Sequence, residues 1–304
     1  MMTNDERKQK AREAGEHRAA IARAVVSAHQ QRDAAKLGEH FADDAESTWV
    51  GHRPAKELRG RQDITRAWEA LWKVAGGLSP RLDLVLVSEN HAVAFVALAP
   101  KATDPAGGNP GKKPRLSPDA AFSWYFTDWE KGDHCIRSEE VFFDASGLER
   151  ATTSPAAAPA AAGETGAAHV SSDSDPERVH LAVVNAMNTG LKVRDLDAAM
   201  QHYSEGATVR VVSEHLERSG RAGVRTALQE RFAAAPNAKL ERLHAWCAGK
   251  WVVAEYRWAS AADGPAGRDV AVRELHLFEV EADKIEAHWI LGQPLAAALS
   301  ATGP

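Results

Sequence analysis

Apolar positions recur along this chain in two rhythms, and the second half repeats the order of the first. Ile21, Val25 and Ala28 fall on one side of an expected helix. Asp33 reads as the cap of a second helix, with Leu37 and Phe41 on its apolar face. A short strand, Glu46 to Val50, comes next. A third helix carries Ile64, Trp68, Leu71 and Trp72. The rhythm then changes to alternation, which marks strands. Leu82 to Val87 turns at Ser88-Glu89-Asn90 into Val93 to Ala99. Phe122 to Thr127 turns around Lys131-Gly132-Asp133 into Ile136 to Phe143.

The same series returns after residue 175. Val183 and Met187 form a helical stripe. Asp195 is a cap, and Leu196, Met200 and Tyr203 continue the face. A strand, Thr208 to Ser213, precedes a helix with Val224, Leu228 and Phe232. Leu240 to Cys247 turns at Ala248-Gly249-Lys250 into Trp251 to Trp258. Val270 to Val280 turns around Ala282-Asp283 into Ile285 to Leu291. Arg32-Asp33, His40-Phe41 and Ala45 have the same spacing as Arg194-Asp195, His202-Tyr203 and Ala207. Gly60-Arg61 and Gly220-Arg221 each open the third helix. Shared order of this kind indicates an internal duplication.

Helices followed by an antiparallel sheet predict an α+β fold. The helices should cover the concave side of a bent sheet and leave a cone-shaped pocket. Between the repeats, residues 151–175 hold prolines, glycines and many alanines but no large apolar residue except Val170. Such a segment cannot bury enough surface to offset its ordering entropy, so a flexible linker is expected there. The expected organisation is a charged helical lead-in (1–14), a first domain (15–150), the linker (151–175) and a second domain (176–304).

Composition narrows the function without naming it. The 304 residues are 44% hydrophobic and 26% charged, ordinary for a globular chain. A net charge of −5, from 37 basic and 42 acidic residues, gives no field for nucleic acid. The apolar run Ala92–Pro100 is about half the length of a spanning helix, so no membrane segment is expected. Residues 1–8 do not read as a secretory signal, and a soluble, cytoplasmic protein is the expectation. Cys135 and Cys247 are too few for a disulfide scaffold. The 13 histidines include no His-x-x-x-His pair and no cluster with cysteine, so neither a metal nor another cofactor is expected. Gly107 to Lys113 is glycine-rich and basic but lacks phosphate-loop spacing, and reads as a surface loop.

Two closing segments carry a family likeness. Asp283-Lys284-Ile285-Glu286-Ala287-His288-Trp289, followed by Gln293-Pro294, resembles the last strand of SnoaL-like proteins in the nuclear transport factor 2-like superfamily. Val141-Phe142-Phe143-Asp144, with Gly147-Leu148, is similar to another ending found in that group. The resemblance spans about residues 15–150 and 176–300. It implies the cone fold, and relatives that include polyketide cyclases, ketosteroid isomerases and dehydratases. It also implies sheets that pair, either within the chain as a pseudo-dimer or between copies as a homodimer. The acid/base aspartate that the resemblance implies directly after His-Trp is replaced by Ile290, and by Val141 in the first repeat.

On the closing strands, Arg137, Glu139, Val141 and Phe143 share a parity, as do Glu286, His288 and Ile290 if no bulge intervenes. Glu139 and His288 then hold equivalent places and are the candidate catalytic residues. A carboxyl in an apolar pocket or an imidazole could take a proton from carbon beside a carbonyl. The alternative is that both are hydrogen-bonded structural groups. Trp49, Trp68, Trp72, Trp124, Phe143, Tyr203, Trp258 and Ile290 are the expected pocket lining, suited to a small apolar or aromatic ligand or simply to a filled core. Small-molecule binding is the first functional expectation. A cyclase-, isomerase- or dehydratase-like enzyme is the second, and a non-catalytic pseudo-dimeric scaffold the third.

Overall fold

The computed structural model describes residues 3–50, 56–75, 80–98, 116, 118–127, 135–143, 166–260 and 270–295. The chain divides into two units, 1–170 and 171–304. Both are α+β, each a set of helices on its own sheet.

In the first unit, α1 (Asn4–Gln31) starts at a capping box, where the Thr3 hydroxyl accepts from the Glu6 amide and the Glu6 carboxylate accepts from the Thr3 amide. It is one continuous helix, so the expected lead-in and the apolar stripe belong to a single element. It ends at Arg32 in the left-handed conformation (φ 55°). Asp33 then caps α2 (Ala34–Gly38) by accepting from the Lys36 amide at 3.0 Å. The strands β1 (Phe41–Val50) and β2 (Lys56–Arg59) precede α3 (Arg61–Val74). Then come β3 (Arg81–Ser88), β4 (His91–Ala97), β5 (Ala120–Phe126), β6 (Ile136–Phe143) and β7 (Ala167–Val170).

The second unit repeats the series. Its elements are α4 (Asp175–Lys192), α5 (Leu196–Met200), β8 (Tyr203–Val211), β9 (Leu216–Ser219), α6 (Gly220–Ala234), β10 (Ala238–Ala248), β11 (Trp251–Ser260), β12 (Val270–Glu281) and β13 (Lys284–Gly292). Local details are duplicated too. Arg194, like Arg32, is left-handed (φ 60°), and Asp195 caps α5 as Asp33 caps α2. Gly60 and Gly220 have φ of 86° and 76°, a region a side chain would strain. They turn the chain so that Arg61 Nε donates to the Phe41 carbonyl and Arg221 Nε to the Tyr203 carbonyl.

The sheets run β2-β1-β6-β5-β4-β3-β7 and β10-β11-β12-β13-β8-β9. The first sheet has two parallel pairs and the second has one, none of which the hairpin pattern predicted. The first strand of each unit lies beside the last strand of its hairpins, β1 on β6 and β8 on β13. Phe41 and Tyr203 differ from expectation: they begin β1 and β8 instead of ending a helix, because α2 and α5 stop after five residues. The expected linker also needs correction at its end. Ala167–Val170 is an edge strand running parallel to β3, and Ser174 and Glu177 form the capping box of α4. Residues 151–165 and the turn at Lys131-Gly132-Asp133 lie outside the described residues, as do Gly107–Lys113 and Asp144.

Candidate functional site

The inner face of each closing strand is set by a bulge. In β6, Tyr125 pairs with Ser138 and Phe126 with Ile136, so Arg137 is skipped. In β13, Glu279 pairs with Ala287 and Val280 with Ile285, so Glu286 is skipped. The expected faces are therefore corrected at their first member. Arg137 is exposed, and Glu286 sits aside, accepting from Ser204 Oγ at 2.9 Å. Ile136, Glu139, Val141 and Phe143 point into one core, and Ile285, His288 and Ile290 into the other. Glu139 pairs across β5 with Trp124, and His288 across β12 with Phe278, the same register in both units.

In the first unit Glu139 is fully buried among indoles. Oε2 accepts from Ser47 Oγ at 2.7 Å and from Trp68 Nε1 at 3.5 Å, and Oε1 accepts from Trp124 Nε1 at 3.0 Å. Trp49 Nε1 donates in turn to Ser47 Oγ at 3.2 Å. Burial raises the Glu139 pKa, and these donors only partly offset it. Trp49, Trp68 and Phe143 pack with ring centroids 4.6–6.0 Å apart. Trp72 is buried beside them on α3. The aromatic residues named from the sequence are thus together, and they fill the core around the carboxyl.

The second unit builds something different from the same places. Tyr203 stands where Phe41 does, and its hydroxyl is 3.0 Å from His288 Nδ1. His288 Nε2 is 2.9 Å from His276 Nδ1, and His276 Nε2 is 3.2 Å from Glu274 Oε2. Glu274 also accepts from Trp258 Nε1 at 2.8 Å and pairs with Arg231, whose other nitrogen donates to Glu214 at 3.1 Å. Except for half-buried Glu214, every member is buried. Burial pushes the Glu274 pKa up, but the Arg231 charge and the donors His276 and Trp258 overcome this and hold it at about 2. Burial lowers both histidines, His288 well below the ordinary value, so both are neutral.

These charges fix the proton positions. An ionised carboxylate only accepts, so His276 Nε2 carries a proton. Its Nδ1 is then a lone pair, and His288 Nε2 must donate to it. His288 Nδ1 is likewise a lone pair and accepts from Tyr203. The relay runs in one direction, Tyr203 to His288 to His276 to Glu274. Both His288 nitrogens are engaged, so it can take a proton only by releasing Tyr203.

One neighbour stands outside the chain of bonds. Tyr256 on β11 is fully buried, its ring centroid 4.3 Å from that of His276, and its hydroxyl has no hydrogen-bond partner among the described residues. Ile290 and Trp258 line the same core, and Phe232 meets Trp258 edge to face at 5.6 Å.

Glu274, His276, Arg231 and Tyr256 were not among the residues named from the sequence. The signal was there: Val272, Glu274, His276, Phe278 and Val280 share a parity, and two polar residues interrupt an apolar face. No group of three or more His, Cys, Asp or Glu able to hold a metal occurs among the described residues. Cys135 is half-buried and Cys247 buried, with burial pushing the Cys247 thiol up to about 12. No described helix is long and apolar enough to cross a membrane.

Comparison with known proteins agrees with the duplication. The sequence model of the SnoaL-like domain matches residues 22–133 and again 182–288. No curated protein matches the chain. Among solved structures it is similar to a protein from Jannaschia sp. CCS1 described as a SnoaL-like polyketide cyclase (18% identity, 43% of this chain and 96% of that one, TM-score 0.37). It is also similar to a protein from Kribbella flavida described as a ketosteroid isomerase (12% identity, 39% and 81%, TM-score 0.33). A third, AclR from Streptomyces galilaeus, described as a hydroxylase, gives 17% identity, 42% and 88%, and TM-score 0.35.

Proposed function

The chain belongs to the SnoaL-like domain family, and from that premise we propose that its second unit binds a small, largely apolar molecule against the Tyr256 hydroxyl. That hydroxyl is the observation that carries the reading. It is a buried donor with no partner among the described residues, beside a relay whose own groups are paired. Leaving such a group unmet costs about 1–3 kcal/mol, which a ligand carbonyl or hydroxyl oxygen would recover. Phe232, Trp258, Phe278 and Ile290 supply the apolar surroundings. Native mass spectrometry of the purified full chain tests this. A small-molecule adduct is expected on the wild type and is expected to be lost in Tyr256→Phe. An adduct retained undiminished in that variant would refute the assignment.

The directional relay favours a second reading, proton-transfer catalysis in the same unit. Tyr256 would polarise a substrate carbonyl, and His288 would accept a proton at Nδ1 as Tyr203 moves away. Unchanged turnover of an identified substrate by His288→Ala would remove it from the mechanism. Glu139, held by three donors, serves in this reading as the polar centre of a supporting unit.

Sheet pairing is the third component of the proposal. Leu84, Leu86, Val93 and Phe95 form the face of the first sheet opposite its core, and Val253, Leu275, Leu277 and Leu291 form that of the second. Apolar backs of this kind support pairing through the sheets. Sedimentation separates the forms, since a pseudo-dimer runs at the mass of one chain and a homodimer at twice that.

A further inference from the structure

The strand β7 belongs to the first unit by contact and to the second by sequence. It pairs parallel with the outer edge of β3, from Leu84 opposite Ala167 to Val87 opposite Val170. Its start lies four strand spacings beyond β6, roughly 19 Å across the sheet. The 22 residues between them, 144–165, could reach about 75 Å when extended. Slack of that size does not hold a strand in register. In the other direction the chain enters α4 of the second unit after only four residues, Ser171 to Ser174.

What holds β7 is a seat shaped by two glycines. A Cβ on Gly15 of α1 would stand 2.3 Å from Val170 Cγ1, so glycine there lets Val170 settle against the helix. A Cβ on Gly166 would meet the backbone of Leu82 and Asp83 at 2.7–2.8 Å, so glycine there lets the segment enter beside β3. The Gly166 carbonyl accepts from Arg23 Nη2 at 3.5 Å. Ala168 and Val170 pack on the core, and the ladder with β3 sets the register. The seat thus selects an extended segment with glycine first, small residues next and a branched residue last.

These contacts are the same whichever chain supplies the segment. We propose that the seat is also an interaction surface between copies: it takes residues 166–170 of a second chain, and two chains join by exchanging this strand and the unit that follows it. The partner is a second copy because the sequence that fits the seat is this chain's own. Within one chain the tethered segment competes at an effective concentration of the millimolar order, so single chains prevail when dilute and exchange grows with concentration.

Two full-length variants with complementary defects test this. One carries Gly166→Val, which spoils its strand, and Val85→Cys. The other carries Gly15→Leu, which blocks its seat, and Ala168→Cys. Both carry Cys135→Ala and Cys247→Ala, leaving one thiol each. Val85 is opposite Ala168 in the ladder, so a disulfide between unlike chains reports the strand of one docked on the other. A dimer paired through the sheets keeps Val85 inside its own core and cannot give this link. Mixed at about 1 mM and oxidised, the pair should yield linked dimers of unlike chains, identified by mass. The yield should fall about tenfold when Gly166→Val is added to the second variant as well. If either variant fails to fold, one chain carrying both Val85→Cys and Ala168→Cys replaces the pair. Its disulfide should lie within the chain when dilute and increasingly between chains at about 1 mM. No link between unlike chains, a link undiminished when both strands are spoiled, or a disulfide confined to single chains at about 1 mM would overturn the exchange.

Discussion

Arg231→Met separates the charge of the relay from its shape. Arg231 and Glu274 are both buried, and the pair holds the carboxyl at about 2 against an ordinary 4.5. That difference corresponds to about 3 kcal/mol of stability at neutral pH. Its sign follows from the lowered folded-state value. The contribution is complete above about pH 4.5 and is lost as the pH falls toward 2. Methionine fills most of the arginine volume but leaves Glu274 with His276 and Trp258 as donors and no cation beside it. Burial then dominates and moves the carboxyl up. At pH 7 the variant must either keep an unbalanced buried charge or protonate it, at a cost of about 3–5 kcal/mol. At pH 4 much of that cost is gone, because the carboxyl is neutral. Urea unfolding of the full chain at both pH values measures the gap. It should narrow markedly at pH 4, and Arg231→Met/Glu274→Gln should recover most of the loss at pH 7. An equal gap at the two pH values would refute an electrostatic role for Arg231.

Four further outcomes can be checked. His29 stays neutral in the folded state down to about pH 3, whereas the unfolded imidazole protonates near 6.5. The unfolded state therefore gains protons as pH falls through that window, and wild type should lose about 2 kcal/mol relative to His29→Leu between pH 7 and pH 5, read by denaturant titration. A Cβ at Gly190 would lie 2.7 Å from the Ala199 amide nitrogen and 2.9 Å from the Asp195 carbonyl, so Gly190→Ala should cost about 1–3 kcal/mol. Nothing lies within 4 Å at Gly206, where thermal melting should be little changed by alanine. Glu139→Gln turns an amide toward donors it cannot accept from, and should lower stability at pH 7 by about 1–3 kcal/mol in the same urea assay.

Elements with a strong period were readable in the sequence. Ile64, Trp68 and Trp72 are buried on α3, and the turn at Gly249-Lys250 joins β10 to β11. Phe41 misled because it stands four residues after Leu37, and helical spacing continues through the end of a five-residue helix without marking it. The edge strands β2, β7 and β9 have four residues each, too few for alternation to register. The equivalence of Glu139 and His288 was legible from spacing alone. Their partners were not: Ser47 and Tyr203 come from strands whose pairing the hairpin pattern leaves open, and the bulge at Glu286 shifts the β12–β13 register that brings His276 to His288. His29 continues the stripe of Ile21 and Val25, so nothing in the linear pattern separates it from an ordinary core position.

The parallel pairing of first and last strands bears on the order of synthesis. β8 is made before α6 and four further strands, yet its partner β13 is complete only at Gly292. Until then the inner edge of β8 is open, and Tyr203 cannot meet His288. Closure of a long loop must precede that contact, which makes it a late event in folding. A chain ending a dozen residues before Gly292 would lose the closing strand and, with it, the histidine on which the relay turns.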